Sequence, residues 1–70
     1  MQWTHPVSSN VHSFAYDPDA RTLHVRFHSG HQYAYANVPP ETHEAMAWAD
    51  SVGKFLNEQI KPEFDATRIA

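Results

Sequence analysis

Hydrophobic and polar positions change period twice along the chain, from alternation in the first half to helical spacing in the second. Val11 to Tyr16 is rich in β-branched and aromatic residues and reads as a first strand. Its apolar positions Val11, Phe14 and Tyr16 step by three and then by two, so a bulge near Ser13 is predicted. Asp17-Pro18-Asp19-Ala20 has type I turn chemistry, with Asp first and Pro pre-set second. In the second strand, Thr22 to His28, Leu23, Val25 and Phe27 share one face while His24, Arg26 and His28 share the other. A third strand runs from about His31 to Val38, with Tyr33 and Tyr35 on a common face.

The hairpin at Ser29-Gly30 decides which face that is. A two-residue loop pairs His28 with His31 and puts both tyrosines beside His24 and Arg26. A three-residue loop with Gly30 in the left-handed region pairs Phe27 with His31, Val25 with Tyr33 and Leu23 with Tyr35, so the tyrosines join the core. A one-residue slip flips every side chain. The longer loop is favoured, because it collects Leu, Val, Phe and both Tyr on one side and leaves Gln32 with the histidines.

Pro39-Pro40 ends the sheet, with Pro40 suited to a first helical position and Glu41 and Glu44 to the positive end of the helix dipole. A helix over Glu41 to Ala49 places Thr42, Ala45, Met46 and Ala49 on one stripe, with Trp48 beside it. Asp50 or Ser51 starts a second helix, whose stripe is Val52, Phe55, Leu56 and Ile60, with Lys54, Glu58 and Lys61 facing water. Pro62 closes it. Phe64 is expected to fold back on the core, and Asp65 to Ala70 to fray. The prediction is an α+β domain, β-β-β-α-α: a three-stranded antiparallel meander covered on one face by two short helices, residues 1–70 in one unit with a core over about 7–64.

These motifs resemble a known family. Val7-x-Ser9-x-Val11, Phe14-Ala15-Tyr16-Asp17, Leu23-x-Val25-x-Phe27 and Gly30-x-x-Tyr33-x-Tyr35-x-x-Val38-Pro39, followed by Ala49-x-Ser51-x-Gly53-x-Phe55-Leu56-Asn57-x-x-Ile60, are similar to the KTSC domain. The resemblance covers roughly Val7 to Ile69. That family is similar to a C-terminal segment of some lysyl-tRNA synthetases and also occurs as stand-alone bacterial and phage proteins. It has no established biochemical activity; the resemblance implies RNA binding, through the synthetase association and the Tyr33-x-Tyr35 signature. The chain departs from the pattern at His43, where family members often carry an aromatic residue.

Composition modifies that picture. The net charge is −3, from five Lys/Arg and eight Asp/Glu, whereas nucleic-acid binders normally carry a basic surplus. Six histidines offset this, since full protonation would move the charge to +3. No cysteine is present, so disulfides and thiolate-bound metals are excluded. No apolar run approaches the about 18 residues needed to span a membrane, and no signal-peptide pattern opens the chain, so a soluble, cytoplasmic protein is expected.

Candidate nucleic-acid contacts are His24, Arg26 and His28 on the second strand, Tyr33 and Tyr35 as a stacking pair, and Lys54 and Lys61. The competing readings are a solvated sheet face and core packing. Ser51-x-Gly53-Lys54 suits an anion at a helix start, although the favoured reading is that Ser51 serves as an N-cap and Gly53 as a point of close approach to the first helix. His24 and His28 stand about 13 Å apart along a strand, too far to share a zinc ion, so no metal or cofactor is expected. No elbow motif or carboxylate pairing organises a catalytic site, and a non-catalytic binding module is the expectation. RNA is the first partner; the alternative is a protein partner or a homodimer, through an exposed strand edge or Trp3 and Trp48.

Overall fold

A computed structural model describes all 70 residues, Met1–Ala70. The elements are β1 (Val11–Asp17), β2 (Thr22–Phe27), β3 (Gln32–Tyr35), α1 (Pro40–Ala47), α2 (Val52–Phe55), continued by a π-helical segment (Leu56–Ile60), and β4 (Ala66–Arg68). The sheet is antiparallel in the order β1-β2-β3-β4. Both local irregularities predicted for the sheet are present. The β1–β2 register shifts between Val11 and Ser13, and Asp17 Oδ1 accepts from the amides of Asp19 and Ala20 in the turn.

The hairpin takes the three-residue form. The Gly30 amide donates to Phe27 O at 3.0 Å, the Phe27 amide to His31 O at 2.9 Å, and Gly30 adopts φ +96°, the region a glycine occupies at little cost. Leu23 therefore faces Tyr35 and Val25 faces Tyr33. Tyr35 is buried and Tyr33 half-buried, because Tyr35 lies under the helices while Tyr33 sits nearer the sheet's end.

The meander has a fourth strand where fraying was expected. After Pro62 the chain turns back, and Ala66 to Arg68 pair with β3: Tyr33 with Arg68, Ala34 with Thr67, Tyr35 with Ala66. The Ala36 amide donates to Asp65 O, the Gln32 amide to Ala70 O and the Ile69 amide to Gln32 O, at 2.7–2.9 Å. Every β4 side chain is exposed, so only backbone hydrogen bonding holds the strand. A strand of that kind leaves no apolar alternation to read. At the opposite edge, the Thr4 and Phe14 amides and carbonyls exchange hydrogen bonds, tying the N-terminal segment along β1.

The core is Val11, Phe14, Leu23, Val25, Tyr35, Val38, Met46, Val52, Leu56 and Ile60, flanked by half-buried Tyr16, Phe27, Tyr33, Phe55 and Phe64. Helix α1 stops at Ala47, two residues earlier than expected, and Met46 is its one buried residue; Ala45 is exposed. Pro40 does stand in its first turn. In the second helix Val52, Leu56 and Ile60 are fully inside, each four residues apart. A 3.6-residue turn would rotate such a series off the core. The wider π turn, closed by the Lys61 amide on Leu56 O at 2.9 Å, keeps Leu56 and Ile60 in line.

His43 fills its aromatic position. Its ring stacks on Tyr16 at 4.6 Å and 7°, and meets Phe14 at 6.0 Å, while the Tyr16 hydroxyl donates to Val38 O. Burial pushes the His43 pKa below its ordinary 6.5, partly opposed by Glu44. The folded state thus binds fewer protons than the unfolded one. The stability linked to His43 is complete above the unfolded value of about 6.5, and is lost as pH falls from there to the depressed folded value. His43→Phe is expected to flatten the fall of urea midpoint between pH 7.5 and 5.5; identical slopes in both proteins would contradict this.

Candidate nucleic-acid interface

The His24/Arg26/His28 face expected to meet nucleic acid is only partly open. Trp3, carried over the sheet by the N-terminal segment, lies against it: the Arg26 guanidinium sits 4.5 Å from the Trp3 ring centre, and Arg26 Nη2 donates to Gln32 Oε1 at 3.3 Å. His24 is tilted against Trp3, at 6.5 Å between rings, with its Nδ1 buried and without a hydrogen-bond partner. His28 is exposed at the end of β2, its Nε2 3.0 Å from Ser8 O. Arg26 is thus committed to an indole and an amide, and Trp3 is not a free anchor for a second copy.

Ser51 and Gly53 are also committed locally, while the Lys54 side chain is exposed at the edge of a separate hollow. Ser51 Oγ accepts from the Lys54 amide at 3.2 Å, an N-cap. Gly53 does provide a close approach, but to the loop before β1 and not to α1. A Cβ there would lie 2.3 Å from Asn10 Oδ1 and 3.1 Å from Ser8 Oγ. These two side chains are themselves linked, Ser8 Oγ to Asn10 Oδ1 at 2.9 Å, and Ser8 Oγ accepts from the Val11 amide at 3.1 Å. Helix propensity alone would make Gly53→Ala favourable by about 1 kcal/mol, but the clash reverses the sign, to a loss of about 1–2 kcal/mol. In a Ser8→Ala/Asn10→Ala background the same substitution should become stabilising in urea unfolding. The same effect in both backgrounds would rule out this contact as the reason for the glycine.

The remaining predicted residues, Tyr33, Tyr35 and Lys61, come together at the helix-side end of the sheet. They line a cleft of about 440 Å³ with Phe27, Ser29, His31 and Ala66. Phe27 and Tyr33 meet edge to face at 5.8 Å, and Lys61 Nζ lies 5.4 Å from the Phe27 ring centre. This lysine directly follows the π turn, which its own amide closes on Leu56 O. Arg68, directly opposite Tyr33 on β4, shares Tyr33's side of the sheet. Tyr35 contributes its rim only; burial, and secondarily Tyr33, hold its phenol above the ordinary value of 10. No carboxylate lines the cleft, in a chain with eight.

Sequence reading missed Phe27 and Arg68. Phe27 carried a visible core pattern, and nothing local marked it as the strand's half-exposed last position. Arg68 depended on β4, which left no pattern. Helix α1 presents one further feature, Trp48 at its C-terminal end, 82% exposed.

Comparison with known proteins matches residues 7–64 to the KTSC domain. The chain is 45% identical over 56 residues to an uncharacterised protein of Stutzerimonas stutzeri, covering 80% of this chain and 79% of the relative. It is 37% identical over 59 residues to a lysine–tRNA ligase of Nostoc punctiforme, spanning 84% of this chain and 10% of the ligase. The crystal structure of a KTSC domain protein from Yersinia pestis superposes with a TM-score of 0.91 at 36% identity, over 99% of this chain and 97% of the other.

Proposed function

The chain belongs to the KTSC domain family, and on that premise we propose that it is a non-catalytic module binding single-stranded RNA in the Phe27–Tyr33–Lys61 cleft. The observation that carries the reading is the cleft's chemistry. In an acidic protein it gathers two accessible aromatic rings, a lysine over one of them and a histidine, without a carboxylate, and Arg68 pairs with Tyr33 on the neighbouring strand. A base stacks on an aromatic face whatever its identity, and adjacent cations meet the phosphates on either side. The matching segment in an enzyme named for tRNA supports the same direction. The arrangement favours sequence-tolerant binding, because the cleft offers rings and cations in place of base-edge hydrogen bonding.

NMR titration of the labelled domain with hexauridylate tests this at pH 6 and pH 7.5. Shifts are expected at Phe27, Tyr33 and Lys61, weakening steeply as salt rises. Absence of shifts there at both pH values would refute the proposal. A second reading, self-association through α1, is favoured by the exposed Trp48. It would show as a rotational correlation time for twice the 8.0 kDa chain, insensitive to salt and lost in Trp48→Ala.

A further inference from the structure

Three histidines that the cleft does not use form a continuous ladder. The His5 ring, on the N-terminal segment, meets His12, on the β1 bulge, edge to face at 5.4 Å; His12 meets His28, at the end of β2, in the same way at 5.5 Å. All three are exposed. The bulge predicted from the spacing of Val11, Phe14 and Tyr16 is what turns His12 into this row. The ladder also adjoins the cleft. A hollow lined by Asn10, Phe27, His28, Ser29 and Lys61 shares Phe27, Ser29 and Lys61 with it, so one surface runs from Tyr33 past Lys61 to His28 and along to His5.

We propose that His5, His12 and His28 form a phosphate-binding track, charged by protonation, that holds the backbone of an RNA strand whose base occupies the cleft. This rests on the RNA reading above and adds to it a second contact surface and a pH dependence. The nitrogen pattern suits the task. His28 Nε2 is taken by Ser8 O and His12 Nδ1 by Ser13 Oγ, which leaves His28 Nδ1 and His12 Nε2 to carry a further proton toward a ligand.

The edge-to-face contacts hold the three rings in one row. One imidazolium edge rests well against a neutral ring face. Protonated together, the three rings would present like charges 5.4–5.5 Å apart, a positive row that a single anionic strand can bridge. The charged groups around the row are mostly of the same sign. Arg26 lies across from Ser13 on β2 and Lys61 beside His28, and Lys54 and Glu58 line the hollow across the Ser8–Asn10 turn. A phosphodiester group relieves that repulsion, so anion binding and proton uptake strengthen one another, as linkage requires. Imidazole changes charge between pH 5 and 8, the range in which this coupling operates.

The test uses two probes, neither of which titrates in that range. Sulfate reports the track alone, and hexauridylate reports track and cleft together. NMR titration of the six imidazole rings should show sulfate raising the midpoints of His5, His12 and His28 while leaving Tyr33 unshifted. Hexauridylate should bind about tenfold or more tightly at pH 5.5 than at pH 7.5, one unit of linked pKa shift corresponding to about tenfold. His12→Gln should remove most of that ratio, whereas His43→Phe, packed against Phe14 and Tyr16 away from both surfaces, should keep it; His5→Gln replaces His12→Gln if the bulge residue proves necessary for folding. Unmoved ring midpoints with sulfate, or an unchanged pH ratio in the track variant, would overturn the proposal. Loss of cleft shifts with hexauridylate while sulfate still moves the three rings would overturn the RNA reading and leave the anion track standing.

Discussion

Phe14→Ala is expected to remove about 3–5 kcal/mol of stability, the cost of truncating a fully buried aromatic side chain. For 70 residues the total is on the order of 4–10 kcal/mol, so about half of it should be lost and the urea midpoint should fall steeply. Phe14 is 1% exposed, faces Val25 across the sheet and touches His43 of α1, so it joins both layers. Its backbone also holds Thr4, and with Thr4 the segment carrying Trp3 and His5. Phe14→Leu, which keeps most of the volume, should lose much less. Urea unfolding followed by far-UV circular dichroism distinguishes them. A loss below about 1 kcal/mol for the alanine variant would mean that the joint between sheet and helices lies elsewhere.

Tyr33→Leu is expected to weaken hexauridylate binding by about 1–3 kcal/mol, roughly 5- to 150-fold, while leaving the fold intact. Leucine preserves apolar contact with the core margin and removes the flat ring. Lys61→Ala should act differently, lowering affinity modestly and reducing the slope of log affinity against log salt by about one contact. Tyr35→Phe should do almost nothing to binding, because Tyr35 is 3% exposed and presents only its rim. Isothermal titration at two salt concentrations separates the three. Equal losses for Tyr33→Leu and Tyr35→Phe would place the bound base outside the cleft.

Several parts of this fold were legible because their cause is local. The bulge at Ser13 followed from an apolar spacing that no regular strand accommodates. The hairpin register followed from asking which loop length puts Leu23, Val25, Tyr33 and Tyr35 on one side, and Gly30 adopts the conformation that answer requires. Ser51 was read correctly as a cap. The fourth strand was not legible, since Ala66 to Arg68 bury no side chain and are held by backbone groups that every sequence possesses. The committed state of Arg26 was equally hidden, because its partner Trp3 reaches it through an N-terminal segment with no helical or strand period.

The sequence by itself determined the family, the α+β class, the strand register and the identity of most core residues, because burial and turn chemistry act over a few neighbouring positions. It also supplied Tyr33 and Lys61 as candidates, without a reason to join them. Tertiary structure alone decided that these two meet at Phe27, that Arg68 lies across from Tyr33, and that His5, His12 and His28 stand in one row. Those contacts depend on a π turn, an edge strand and a tethered N-terminal segment. The edge strand and the tether are set by backbone hydrogen bonds between distant parts of the chain and the π turn by a bond spanning five residues, and such bonding carries no side-chain signature.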